Sequence, residues 1–148
     1  MLNFSIQKFR YHLEHLLKDQ DIKLSEDQLA KMCKHAENLM IWNRKTNLTA
    51  IRCPLQMAEK HFYDSIMAAS FLSNEITSIA DIGSGGGFPG IPLKIIRPHI
   101  KLFMIDASQK KVSFLKHMIH LLELDNAEAV HVKLDRKNRR NRNYQDGQ

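Results

Sequence analysis

Ser78-Ile79-Ala80-Asp81-Ile82-Gly83-Ser84-Gly85-Gly86-Gly87-Phe88-Pro89-Gly90 is the stretch whose reading decides the fold. Ile76 to Ile82 supplies an apolar, β-branched run that reads as a buried strand. Gly83, Gly85 and Gly87 free the backbone for positive φ and for close approach to a ligand, because no Cβ is in the way. Pro89 has no N–H and suits the first turn of a helix, where that donor has no partner. A helix N-terminus opening onto a strand end is expected to receive an anionic group. Working outward, Ile100 to Asp106 reads as a second strand that ends in a carboxylate. Its distance from the glycines is that of a βαβ unit which places an acid near ribose hydroxyls.

The rest of the chain supports this frame. Phe4, Ile6, Phe9, Leu13, Leu16 and Leu17 give residues 4–18 a helical apolar stripe. Ser25, with Gln28 three residues on, predicts a helix start with a capping box, and that helix runs through Leu29, Met32, Cys33, Ala36, Leu39, Met40 and Trp42. Asn43 to Thr49 is turn-like. Pro54 opens a third helix carrying Met57, His61, Ile66, Met67 and Phe71. After the glycine turn come a short helix over 91–96, the strand over 100–106, a helix from Gln109 to Leu122 capped by Ser108, and a third strand over 127–134. Two successive crossovers predict parallel strands with right-handed connections. The third strand would be left with an open edge, which is expected to weaken folding.

Composition sets the limits. The length suits one domain, with 1–75 as a helical region, 76–135 as a partial ligand-binding core and 136–148 as a polar tail. No apolar run is long enough to span a bilayer. Cys33 and Cys53 are far apart and read as reduced thiols in a cytoplasmic protein, and a monomer is expected. From His131 onward there are 6 Lys/Arg and 2 Asp/Glu, so the tail holds most of the net charge of +6. Such a cluster is either a phosphate footprint or a solvated tail. His12/His15 and His117/His120 lack the cysteine or acidic partners of a metal site, and no metal is expected. Trp42 either stacks on a base or closes the core.

The glycine turn with Asp106 suits either a nicotinamide dinucleotide or S-adenosylmethionine. Trp42-Asn43-Arg44-Lys45-Thr46-Asn47-Leu48-Thr49 and His61-Phe62-Tyr63-Asp64-Ser65 decide between them. Together with Asp81 to Leu93, Arg97-Pro98 and Lys110-Lys111-Val112-Ser113-Phe114-Leu115, they resemble the RsmG (GidB) family of bacterial ribosomal RNA methyltransferases. The resemblance runs to about Asp135 and covers the N-terminal two-thirds of the family pattern. It implies an α/β, Rossmann-like class I methyltransferase fold behind N-terminal helices, with the sheet truncated after the third parallel strand.

The resemblance also implies a cofactor, S-adenosyl-L-methionine, held at Gly83, Gly85, Gly87 and Phe88, at Leu134 and Asp135, and at Asp106 on the ribose. Asp81 would help place the methionine end. Asp135 stands where the family usually has Glu. The implied reaction is methylation of guanine N7 at position 527 of 16S rRNA, with that RNA or the small ribosomal subunit as partner. N7 already carries a free lone pair, so no general base is required, and no catalytic residue is assigned. Lys110, Lys111, Lys133 and Arg97 are candidate phosphate contacts, and Asn47 and His61 match signature positions beside the site. Nothing here matches the family's later strands or its Ser-Arg-Ala loop, which leaves a non-catalytic, RNA-binding remnant as the alternative. A dinucleotide-binding oxidoreductase domain is the third reading.

Overall fold

Two capped helices begin the fold. The computed structural model describes residues 4–133. In α1 (Ile6–Lys18) the Ser5 hydroxyl accepts from the Lys8 amide, and Phe9, Leu13 and Leu17 recur every fourth residue on the buried face. In α2 (Glu26–Asn43) the expected capping box is complete, with Ser25 Oγ accepting from Gln28 N at 3.1 Å and Gln28 Oε1 accepting from Ser25 N at 2.9 Å. Glu26 and Asp27 in its first turn complement the helix dipole.

The third helical stretch is not the single regular helix expected. It consists of α3 (Pro54–Met57), a π-helical turn (Ala58–Tyr63), α4 (Asp64–Ala68) and a 3-10 turn (Ala69–Phe71). Insertions of π geometry are frequent at functional sites, and this one carries His61.

Three parallel strands follow, β1 (Ser78–Ile82), β2 (Lys101–Asp106) and β3 (Ala127–His131), in the spatial order β1-β2-β3. β1 and β3 are both shorter than the runs read from sequence. Helices α5 (Gly90–Ile96) and α6 (Gln109–Leu121) make the two crossovers. Both pack on the sheet face that carries Leu102 and Met104, which are almost fully buried. α2 lies against both of these helices. The other face carries Ile82, 78% exposed, and Val130. Among the described residues β2 is the central strand, so β1 as well as β3 has one unpaired edge, where an open edge was expected only at the third strand.

The C-terminal end of α5 is tied down by two cations. Lys94, buried, donates to the carbonyls of Pro98 and Ile100. Arg97 donates to the carbonyls of Ala69, Leu72 and Ser73, which closes the end of the third helical stretch. Leu134, the last residue of the expected third strand, Asp135 and the basic run from Arg136 to Arg142 lie outside the described residues. Among the described residues no helix is long and apolar enough to cross a membrane.

Candidate functional site

The site is the loop from Gly83 to Pro89 at the C-terminal ends of β1 and β2. Gly83, Gly85 and Gly87 have φ of +77°, +52° and +93°, the left-handed region that the sequence predicted for them. The loop is anchored from beneath. Gly83 N–H donates to the Ile105 carbonyl at 2.7 Å, Gly87 N–H to Ser84 O at 2.7 Å, and the buried Ser84 hydroxyl to Asp81 O at 2.8 Å.

Two carboxylates hold its ends. Asp106 Oδ2 accepts from Gly85 N at 3.0 Å and its Oδ1 from Ser108 N at 2.9 Å, so one side chain joins the loops after β1 and β2. Asp106 thus has a structural task in the loop, and each of its oxygens retains a further acceptor site. Asp81 Oδ2 accepts from Gly90 N at 3.0 Å. The N-terminus of α5, expected to receive an anionic ligand, therefore receives the protein's own carboxylate. Burial raises the Asp81 pKa against the opposing Gly90 N–H, and nearby Asp106 raises it further.

The glycines divide by what surrounds them. A Cβ on Gly83 would meet nothing within 4 Å, and one on Gly85 only the Gly83 carbonyl at 3.9 Å. A Cβ on Gly87 would lie 2.5 Å from Ile91 Cδ1, and one on Gly90 2.7 Å from Asp81 Oδ2. Gly83 and Gly85 thus form an open floor of bare backbone, while Gly87 and Gly90 are closed by packing. The GxGxxG spacing of Gly85, Gly87 and Gly90 joins residues with different tasks.

Phe88 turns toward the helices. Its ring stacks on His61 (centroids 4.5 Å apart, 9° between planes) and on His35 (4.7 Å, 20°), and meets the edge of Phe62. His61 Nε2 is 2.7 Å from Thr49 Oγ1. Thr49 is bound in turn by the buried Asn43, whose Oδ1 accepts from Leu48 N and Thr49 N and whose Nδ2 donates to Thr49 O. The Asn43–Thr49 segment is thereby fastened under the loop. Burial lowers the His61 pKa, with Asp64 opposing.

The structure thus brings Gly83, Gly85, Gly87, Phe88, Asp81, Asp106 and His61 to one place. Lys110 and Lys111 start α6 just beyond Ser108, and Lys133 follows β3, on the same end of the sheet. Asn47 is exposed in the turn before Thr49. Arg97 lies at the opposite end of the strands, its guanidinium committed to backbone carbonyls, so it is not part of this site. Trp42 packs between the edge of Phe114 and the ring of His117 on α6.

One residue was not singled out from the sequence. His35 is fully buried on α2, with Nε2 2.7 Å from the Gly86 carbonyl. Its only sequence signal is a histidine on an otherwise apolar helix face between Met32 and Leu39.

Comparison with known proteins points to one family. A family model described as "GidB: rRNA small subunit methyltransferase G" matches residues 28–146. A protein of Oceanobacillus iheyensis called "Ribosomal RNA small subunit methyltransferase G" is 42% identical over 122 residues, which are 82% of this chain and 51% of that protein. One of the same description from Lysinibacillus sphaericus is 39% identical over 120 residues, 80% of this chain and 50% of its own length. A third, from Bacillus cytotoxicus, is 43% identical over 124 residues, 82% of this chain and 52% of its own. The chain spans about half the length of the curated relatives it matches, less than the two-thirds expected from its motifs. With a family model matched over most of its length, the chain belongs to the GidB family, the rRNA small subunit methyltransferases G.

Proposed function

We propose that this chain carries the cofactor-binding part of an S-adenosylmethionine-dependent methyltransferase that acts on guanine N7, at position 527, of 16S rRNA in the small ribosomal subunit. The observation that carries the reading is the open backbone at Gly83 and Gly85 beside the Asp106 carboxylate, at the ends of two adjacent parallel strands. Such a floor admits a ligand to backbone distance, and the acceptor sites left on Asp106 suit the paired hydroxyls of a ribose.

When bound, S-adenosylmethionine supplies an electrophilic methyl group on a sulfonium. The protein's part is to bind and orient. Asp106 would take the ribose hydroxyls, and Gly83 and Gly85 would line the cofactor with main chain. Asp81 holds the Gly90 N–H through Oδ2 and so fixes the loop from behind, and its Oδ1 would help place the methionine end. Guanine N7 has an available lone pair, so holding it in line with the methyl supplies most of the effect and no side chain has to take a proton. In A-form RNA the major groove that N7 faces is too narrow to read, so the target is an exposed guanine. Lys110, Lys111 and Lys133, on the same end of the sheet, are suited to phosphates. Leu134 and Asp135 complete the proposed cofactor set from outside the described residues.

Calorimetric titration with S-adenosylmethionine, with NAD as the control, tests this reading. Saturable binding of the first and none of the second is expected, and preference for NAD would replace it with the oxidoreductase reading. A second reading is a non-catalytic protein that binds RNA. Transfer of a labelled methyl group to 16S rRNA by the chain separates the two.

A further inference from the structure

The imidazole of His35 faces the glycine loop from the helical layer beneath it. It is 0% exposed, and its Nε2 lies 2.7 Å from the Gly86 carbonyl. A carbonyl only accepts, so Nε2 carries the hydrogen and Nδ1 carries the lone pair. Nδ1 is buried and has no hydrogen-bond partner among the described residues. The ring also stacks on Phe88, and a Cβ on Gly87 would lie 3.2 Å from Nε2. Three consecutive loop residues, Gly86, Gly87 and Phe88, are therefore seated on one side chain of α2.

We propose that His35 is a positioning residue for the glycine loop: its Nε2–H holds the Gly86 carbonyl and its ring seats Phe88, which keeps Gly83 and Gly85 in the shape that receives the ligand. The proposal rests on the reading of this loop as the cofactor floor, and its loop-holding part stands independently of which ligand binds. Gly86 and Gly87 follow directly on Gly85, whose own N–H must stay on Asp106 for the floor to remain flat. A loop with so many glycines has little stiffness of its own. The histidine supplies what the chain there lacks, a hydrogen bond and a rigid aromatic face from a regular helix. The neutral form is required. A proton on Nδ1 would place a second N–H in an enclosure that offers it no acceptor, and burial already pushes the pKa of this ring down to about 4.

The test uses the full chain and two substitutions. His35→Phe keeps a flat ring and removes the donor, whereas His35→Gln keeps an N–H that reaches the Gly86 carbonyl. Amide hydrogen exchange, without any ligand, is the first readout. His35→Phe is expected to speed exchange at Gly85, Gly87 and Phe88 by roughly tenfold, the scale of one hydrogen bond to a buried carbonyl. The amides of α6 should stay as in the parent, and His35→Gln should restore most of the protection. A uniform rise across the chain, or no change in the loop, overturns the proposal, because His35 is then an ordinary core residue.

The second readout is affinity for S-adenosylhomocysteine. His35→Phe should bind about tenfold more weakly. Leu13→Ala, a core change on α1, should lower the melting temperature without altering the affinity of the folded protein. If the parent chain binds no S-adenosylhomocysteine, the cofactor reading fails, while the exchange data still decide the role of His35. Should His35→Phe not fold, ring-nitrogen chemical shifts of the parent decide. A neutral Nε2–H tautomer from pH 5 to 8 supports the proposal, and an Nδ1–H tautomer or a charged ring overturns it.

Discussion

Gly90 donates its backbone N–H to Asp81 Oδ2 at 3.0 Å, and a Cβ at residue 90 would lie only 2.7 Å from that same oxygen. The pair couples the end of β1 to the start of α5 through a contact with no spare room. A Cβ there would also lie 3.2 Å from Leu102 Cδ1 on the central strand. Gly90→Ala is therefore expected to push the carboxylate away and leave it buried without its donor. The expected loss is about 2 kcal/mol of stability, read from urea unfolding. A variant as stable as the parent would show that β1 and α5 are not held through this contact.

The open floor predicts a different result one turn earlier. Gly83 has φ +77° but free space where a Cβ would go. Gly83→Ala should cost only the left-handed strain, about 1 kcal/mol, yet it fills the space assigned to the cofactor and should abolish measurable binding of S-adenosylmethionine. Gly87→Ala adds a clash with Ile91 to a φ of +93° and should cost more stability than Gly83→Ala. The reverse order, with Gly83 the more costly for folding and neutral for binding, would remove the basis for the assigned floor.

The sequence announced the parts of the fold and site whose chemistry is local. The strand, the glycines with positive φ and the caps at Ser25 and Ser108 each depend on neighbours within a few residues, and all are present. The division of the glycines was not legible, because whether a Cβ would meet Ile91, Asp81 or open space depends on how α5 packs back on β1. His35 was hidden for the same reason, since its acceptor, Gly86 O, lies 51 residues away in sequence. Asp106 stands at the end of β2 beside the glycines, but its bonds to Gly85 and Ser108 need two loops to meet, which spacing does not reveal. The π-helical turn at Ala58–Tyr63 has the same apolar spacing as an ordinary helix over so short a stretch, so periodicity could not reveal it.

Arg97 illustrates how a basic residue near a family motif can serve the fold. Its guanidinium donates to Ala69, Leu72 and Ser73 carbonyls, with the shortest contact 2.8 Å to Ala69 O. A planar fork suits several carbonyls at a helix end. Arg97→Ala should lower stability by about 1–2 kcal/mol and leave the affinity for S-adenosylmethionine unchanged in the folded protein. Reduced RNA affinity at unchanged stability would return Arg97 to the phosphate contacts.

The buried imidazole of His35 also sets a pH dependence of folding. Burial lowers its pKa from 6.5 to about 4, with the Gly86 carbonyl opposing and the nearby His61 adding to the fall. Between these two values the unfolded chain binds the proton and the folded chain does not. Stability therefore rises with pH across this window. The contribution is fully present above the unfolded pKa and is lost as pH falls toward 4, amounting to about 3 kcal/mol. His61, whose pKa burial also lowers, acts in the same direction. Urea unfolding of the full chain at intervals from pH 4 to 7 should show this decline. His35→Gln, which has no proton to gain, should show a shallower one. If the parent and His35→Gln lose stability in parallel, acid unfolding is governed by other groups, and the His35 ring must already be accessible to water in the folded protein.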